Sequence, residues 1–207
     1  MAGRVADLVW YPPSIAPFAA IPSAAVVPDL DAAHARGLAD SAYLVGVTPK
    51  SLPESWRVVA RSQILQLFPA PGAATEEAGT VLGHADRPAM QQLTQVAFPD
   101  FFRERTAELG LYLGIFAGAG LIAMAGERMA LDGLQEISAV CTHPANAGRG
   151  YARRLTRALL GRHLRRGVRS FLHVSEGNAA ARRLYDSMGF EVRASLDMCK
   201  VERVASI

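Results

Sequence analysis

The sequence predicts an α/β fold built on a mixed sheet, and two observations carry that reading. From about residue 80 onward, apolar runs of strand length alternate with segments whose apolar residues recur at helical spacing. Their order is β-α-α-β-β-β-α-β-α-β, the layout of helices packed on a sheet. Half of the 207 residues are apolar and a fifth are charged, a balance that fills a core and argues against disorder.

The first 79 residues read as a small N-terminal region, rich in Pro and Ala. A short helix is expected over 29–39 and strands within 42–47 and 56–68. Pro69-Ala70-Pro71-Gly72 breaks regular structure, and the polar stretch to Gly79 reads as a linker, which leaves 80–207 as the second domain. There, 81–83 closes a strand. Asp86 is the expected N-cap of a helix with Pro88 in its first turn and Met90, Leu93 and Ala97 at helical spacing. Pro99 ends it, and 101–109 reads as a short second helix. Strands follow at 111–117, 121–126 and 134–142, with a turn near Asp132-Gly133. A helix then runs from Gly148-Arg149-Gly150 to about Arg166. A short strand at 171–174, a helix at 178–188 ended by Gly189, and one or two strands over 191–204 complete the chain.

The stretch 109–126 contains eighteen uncharged residues, near the lower limit for a membrane-spanning helix. Five of them are Gly, and Ala117-Gly118-Ala119-Gly120 splits the run into two short apolar pieces. Because Gly inside a helix costs about 1 kcal/mol each, a buried strand hairpin is the better reading, and no membrane association is expected. Prolines at 12, 13, 17, 22 and 28 interrupt every apolar stretch near the N-terminus, so no signal peptide is expected. Cys141 and Cys199 make neither a disulfide framework nor a metal cluster; a reduced, cytoplasmic location and no metal follow as expectations.

Of 22 basic residues, 20 are Arg, and eight of these fall between Arg149 and Arg169 with no Asp or Glu from 137 to 175. Such a cationic region calls for an anionic partner, a small molecule or a nucleic acid. Within it lies the most specific motif: a strand ending Val140-Cys141-Thr142-His143-Pro144, the turn Gly148-Arg149-Gly150, and a helix opening Tyr151-Ala152-Arg153. The glycines allow a tight turn and close approach of a ligand. The first helical N–H groups lack intrahelical partners and carry the positive end of the helix dipole, which suits phosphate. The dinucleotide fingerprint fails because Arg153 stands where its third Gly would be, and the Walker-type loop fails for want of Lys. Tyr151, Leu155 and Leu159 form a packing stripe, leaving Arg153, Arg154 and Arg157 for phosphate or for solvent.

At these residues the chain resembles the GNAT superfamily of N-acetyltransferases. Residues 136–144 with Gly148-Arg149-Gly150-Tyr151-Ala152 look like its acetyl-CoA signature. Asn178-Ala-Ala-Ala-Arg-Arg-Leu-Tyr185-Asp-Ser-Met-Gly189-Phe190 is similar to its closing Asn-x-x-Ala-x-x-Leu-Tyr-x-x-x-Gly-Phe block. The similarity extends over about 81–204 and is nearest the branch whose C-terminal domain is akin to glycine N-acyltransferases, whose degenerate N-terminal half would correspond to 1–79. The resemblance implies a mostly antiparallel, twisted mixed sheet flanked by helices, with acetyl-CoA as co-substrate. It further implies that Ala139, Val140, Cys141 and Thr142 meet the pantetheine arm, and that Gly148, Arg149, Gly150, Tyr151, Ala152 and Arg153 hold the pyrophosphate. Asn178 also contacts the cofactor, Glu136 is the general base, and Tyr185 donates a proton to the departing thiolate while contacting the cofactor. The loop departs from the family at Ala147, where Gln or Arg is usual, which implies weaker binding with Arg149 compensating.

The function expected is transfer of an acetyl or short acyl group from acetyl-CoA to a primary amine by direct attack in a ternary complex. Two alternatives stand beside it: a catalytically silent acyl-CoA-binding module, made conceivable by Ala147, and an Arg-rich nucleic-acid-binding domain. The second wants interleaved aromatics, and Tyr151 is the only aromatic residue between His143 and Ser170, so no nucleic acid is expected. A covalent route through Cys141 is disfavoured, since a free Cys is usually a buried small apolar residue. His173 reads as structural. The partners expected are a coenzyme A thioester and an amine, and the alternating strands allow a homodimer.

Overall fold

The structure, a computed structural model, describes residues 2–204. In chain order the elements are β1 Gly3–Val5, β2 Leu8–Trp10, β3 Phe18–Ala20, α1 Leu30–Ala35, β4 Ser41–Gly46, β5 Trp56–Pro69, β6 Thr80–Val81 and α2 Arg87–Ala97. There follow β7 Tyr112–Ala117, β8 Gly120–Leu131, β9 Leu134–Thr142, α3 Tyr151–Arg165, β10 Arg169–Ser175, α4 Ala179–Asp186 and β11 Phe190–Arg203. The α/β class with a mixed sheet holds. Three differences from the sequence reading have physical causes. Strands β1 to β3 have three residues each, too short to show a period. Residues 101–109 form only a 3₁₀ turn at Thr106–Leu109, where the Thr106 hydroxyl accepts from the Arg103 N–H at 2.7 Å. Asp86 does sit at the N-cap of α2, but its carboxylate accepts from the Gly83 N–H at 2.7 Å and so closes the turn before the helix.

The chain divides into two compact units, one of residues 2–65, 175–177 and 194–204, the other of 66–174 and 178–193. In the first, β1 pairs antiparallel with β2 and β2 with β3, while β3 runs parallel to β4 and β4 antiparallel to β11. Helix α1 starts where Asp29 accepts from the Ala32 N–H at 3.0 Å, a side-chain cap of the usual kind. It buries Leu30 and Ala33 with Leu8, Trp10, Leu44, Trp56 and Val201.

In the second unit, β6, β7, β8 and β9 are successive antiparallel neighbours, and α3 carries the chain over to β10, which lies parallel to β9. The stretch 109–126 is the hairpin of β7 and β8, and among the described residues no helix is long and apolar enough to cross a membrane. Met90 and Leu93 of α2 pack with Phe102, Tyr112, Met124 and Cys141. Helix α3 packs on β8 and β9 through a buried stripe that includes Leu155 and Leu159, each such side chain contributing about 2 kcal/mol. Its polar anchor is His163, wholly buried, with Nε2 3.0 Å from Glu127 and Nδ1 2.8 Å from the Ser170 hydroxyl. Glu127 also accepts from Arg166 at 2.8 Å and from the Leu111 N–H at 3.2 Å. Burial pushes the Glu127 carboxyl up, but His163, the Leu111 N–H and Arg166 together hold it below its ordinary value.

Candidate active site

Strands β9 and β10 pair for four residues only, from Leu134↔Arg169 to Ile137↔Leu172. Beyond Ile137 the register stops, so 138–142 keep β8 on one side and present the backbone of the other side to the opening. A bulge marks the place. On β8 the register steps from Met124↔Cys141 to Gly126↔Ser138, so Ala139 and Val140 stand opposite the single Ala125. Ala139 has φ 51°, a left-handed conformation that costs a non-Gly residue about 1–2 kcal/mol. A strand whose amides and carbonyls are turned into a gap can pair with an extended, amide-bearing ligand as another strand would.

The end of β9 leads into the Gly turn. Gly148 and Gly150 have φ 76° and 78°, and a Cβ at either would meet nothing within 4 Å, so backbone conformation rather than space demands glycine there. Gly150 is the N-cap of the fifteen-residue α3 and supplies no side-chain bond, and the first turn carries no acidic residue. The N–H groups at the start of α3 therefore keep their positive end for a ligand. Arg149 is exposed beside them. Arg153 takes another course: its Nη2 donates to the Ser187 hydroxyl at 2.8 Å, so it ties α3 to the end of α4. Arg154 is likewise engaged, donating to Glu76 at 2.9 Å.

On α4, Asn178 caps the helix by accepting from the Ala181 N–H at 3.0 Å. Tyr185, buried, packs its ring 5.5 Å from that of Phe190. Burial first and Cys141 second raise the pKa of the Tyr185 hydroxyl well above its ordinary value, so it keeps its proton at neutral pH. Burial also pushes the Cys141 thiol up to about 12, against a bond from the Met124 backbone. The sulfur is thus held protonated and is a poor nucleophile.

Glu136 lies on β9, in the next-to-last pair before β9 and β10 part. Its side chain is fully buried, and Arg128 donates to it twice, Nε to Oε2 at 2.8 Å and Nη2 to Oε1 at 2.6 Å. His173 Nδ1 lies 2.8 Å from the same Oε1. Burial pushes the Glu136 carboxyl up, but Arg128 and then His173 outweigh it and hold the pKa at about 2. A carboxylate so paired is a weak proton acceptor. The chain of bonds continues: Gln66 Nε2 is 3.2 Å from His173 Nε2, and Arg193 Nη1 donates to Gln66 Oε1 at 2.6 Å.

The FR47-like protein family matches residues 112–199, which run from β7 through the splay, the Gly turn and α4 into β11. A crystal structure of a protein from Novosphingobium aromaticivorans, described as of the GNAT family, is similar at 32% identity over 99% of this chain and 92% of that one, with a TM-score of 0.86. The chain belongs to the GNAT family. A GCN5-related N-acetyltransferase from Kribbella flavida shares the fold at 17% identity, with a TM-score of 0.60 over 100% of this chain and 90% of that one. So does the ribosomal-protein-S18-alanine N-acetyltransferase of Escherichia coli, at 22% identity and a TM-score of 0.51 over 63% of this chain and 95% of that one. No curated protein matches.

In this GNAT chain the expected residues fall on three neighbouring pieces: Glu136 and 139–142 on β9, 148–153 on the turn and α3, Asn178 and Tyr185 on α4. The Tyr185 hydroxyl lies near enough to Cys141 for the thiol to raise its pKa slightly. Arg128, Gln66 and Arg193 were not foreseen. A charged residue within the apolar strand β8 was the available signal for Arg128; nothing local marks the other two.

Proposed function

We propose that this GNAT protein transfers an acetyl or short acyl group from acetyl-CoA to a primary amine by direct attack in a ternary complex. The observation that carries the reading is the end of β9–β10 pairing at Ile137↔Leu172, followed after the open end of β9 by the left-handed Gly turn and the uncapped start of α3. Together these offer strand-like backbone groups for a pantetheine arm and a row of helix-start amides for a pyrophosphate. In this reading Ala139, Val140, Cys141 and Thr142 hold the arm, and an N–H among them receives the charge that develops on the thioester oxygen. Gly148, Arg149, Gly150, Tyr151 and Ala152 hold the phosphates, Arg149 standing in for the side chain that Ala147 lacks. Arg153 acts at one remove, by fixing Ser187 and with it α4, and Asn178 shapes the start of that helix beside the cofactor. Tyr185 protonates the departing sulfur. Glu136 serves proton removal from the amine by orienting a neighbour, since its own carboxylate is paired with Arg128 and bonded to His173.

The proposal assigns this activity to residues 80–207 and treats 1–79 as a small half-domain, in keeping with a glycine N-acyltransferase-like branch. It includes a cytoplasmic location, no nucleic-acid or membrane partner, no metal, and a homodimer as the assembly to test. The experiment is calorimetric titration with acetyl-CoA and coenzyme A, followed by a thiol-release screen against amino acids, polyamines, arylalkylamines and peptide N-termini. One-to-one binding with turnover on a primary amine is the expected result. Binding without turnover on any amine would favour the silent module, and no binding at millimolar ligand would reject the acyl-CoA reading.

A further inference from the structure

Five side chains from five strands form one hydrogen-bonded line: Arg128 of β8, Glu136 of β9, His173 of β10, Gln66 of β5 and Arg193 of β11. The two ends fix every proton between them. Arg193 has only donors, so the Gln66 atom facing it is the carbonyl Oε1, and the Gln66 NH₂ is turned to His173 Nε2. That nitrogen must then be the one with the lone pair. At the other end Glu136, ionised by Arg128, only accepts, so the imidazole proton sits on Nδ1 and is donated to it.

The position of the ring matters as much as its tautomer. Leu172↔Ile137 is the last pair between β10 and β9, so His173 is the first residue of β10 beyond it, level with Ser138 and one step before the left-handed Ala139. Its side chain is one-tenth exposed, whereas that of Glu136 is not exposed at all. The groups around it are Glu136 on β9, Arg128 behind that carboxylate on β8, Gln66 on β5 and Arg193 on β11. Tyr112 on β7 is close enough to feel Arg128 and Glu136, and the Phe171 ring stands edge-on at 5.6 Å.

We propose that His173 Nε2 takes the proton from the acceptor ammonium, with Glu136 as the positioning residue that holds the ring and Gln66 as the donor that keeps Nε2 available. This rests on the acetyl-transfer reading above. Before substrate arrives, the Gln66 N–H occupies the lone pair; the ammonium N–H replaces it like for like. One N–H bond of the ammonium breaks and its proton passes to Nε2, leaving a neutral amine whose lone pair forms the new C–N bond at the thioester carbonyl. The C–S bond breaks as the sulfur gains the Tyr185 proton. The second proton lost by the nitrogen restores Tyr185 through solvent, and His173 returns its proton to water, so that one proton is released per turnover.

Two amines separate this role from a structural one. Ethylamine is an ammonium ion at neutral pH and needs a proton acceptor; hydroxylamine is largely unprotonated there and does not. His173→Gln, which can still donate to Glu136, is expected to lower kcat for ethylamine by about 100-fold or more. Its loss with hydroxylamine should be at least ten times smaller, and the acidic limb of the ethylamine pH profile should disappear. Equal losses with both amines, or no loss with ethylamine, overturn the role. Nitrogen-15 NMR of histidine-labelled protein reads the tautomer without any turnover: Nδ1–H is expected for His173, and Nε2–H overturns the inference. With the Nδ1–H tautomer present, a wild type that binds acetyl-CoA yet acetylates neither these two amines nor any of those screened above overturns the acetyl-transfer reading, and the proton-accepting role falls with it.

Discussion

Arg128 and Glu136 meet through two parallel N–H···O bonds of 2.8 and 2.6 Å. The meeting depends on an irregularity of the sheet. Between Glu127↔Ile137 and Ala130↔Gln135, β8 has two residues, Arg128 and Met129, against the single Glu136 of β9. The bulge gives Arg128 room to swing onto the carboxylate in fork geometry.

This pair should dominate the acid stability of the second unit. The Glu136 carboxyl has a pKa of about 2 in the fold against an ordinary 4.5. A depressed carboxyl stabilises the fold fully above its unfolded value and loses that contribution as pH falls through the folded one. The window is therefore pH 4.5 down to about 2, and the contribution is on the order of 3 kcal/mol. Glu136→Gln is expected to destabilise the protein at pH 7 by about 3–5 kcal/mol, because Arg128 is left without its counter-charge. Its stability should also fall less steeply below pH 4.5 than that of the wild type. Parallel acid-unfolding curves for the two proteins would show that the pair does not set the slope.

Gly150→Ala forces a side chain into a φ of 78°. Space is not the obstacle, so the stability loss should be modest, about 1–2 kcal/mol. Binding should suffer more, because the helix-start amides move if the residue relaxes to an ordinary conformation. Titration with acetyl-CoA is expected to show at least a tenfold weaker Kd while the melting temperature falls by only a few degrees. A variant that melts earlier but binds equally well would remove the turn from the binding site.

How much of this was legible beforehand follows the length scale of each feature. The hairpin at 109–126, β9, α3 and the Asn178-to-Phe190 block were readable because each is set by neighbours in sequence: glycines that break a run, a cap, a spacing of three and four. The Gly148 and Gly150 conformations were readable for the same reason. The Arg128–Glu136–His173–Gln66–Arg193 line was not, since it is assembled by register between strands up to 127 positions apart. Glu136 was singled out, but its pairing with Arg128 depends on a bulge that no local pattern announces. His173 was read as structural, and its bonds to Glu136 and Gln66 were not foreseen for the same reason.

Gly126→Ala tests packing away from the chemistry. A Cβ at Gly126 would overlap the Tyr112 ring, which is buried and fixed edge-on against Phe102 at 5.8 Å. The ring cannot retreat cheaply, so a loss of about 1–3 kcal/mol is expected. For a chain of this size that is roughly 2–12 °C in Tm. An unchanged Tm would mean that the ring and the hairpin shift together.

The last prediction separates two groups held protonated, Tyr185 on α4 and Cys141 on β9. Tyr185→Phe keeps the ring against Phe190 and removes only the hydroxyl. If that hydroxyl supplies the sulfur's proton, kcat should fall by about 10- to 100-fold with KM for acetyl-CoA within a factor of two and Tm nearly unchanged. Cys141→Ala removes a thiol held protonated up to about pH 12, and should cost less than a few-fold in kcat. Arg153→Ala belongs between them. It frees Ser187, two residues beyond Tyr185, so kcat should drop although Arg153 itself touches α4 rather than the reacting atoms. The order Tyr185→Phe, then Arg153→Ala, then Cys141→Ala, read from kcat in one assay, is what an acid on α4 requires. A Cys141→Ala variant as damaged as Tyr185→Phe would instead point to an acyl-enzyme on the sulfur.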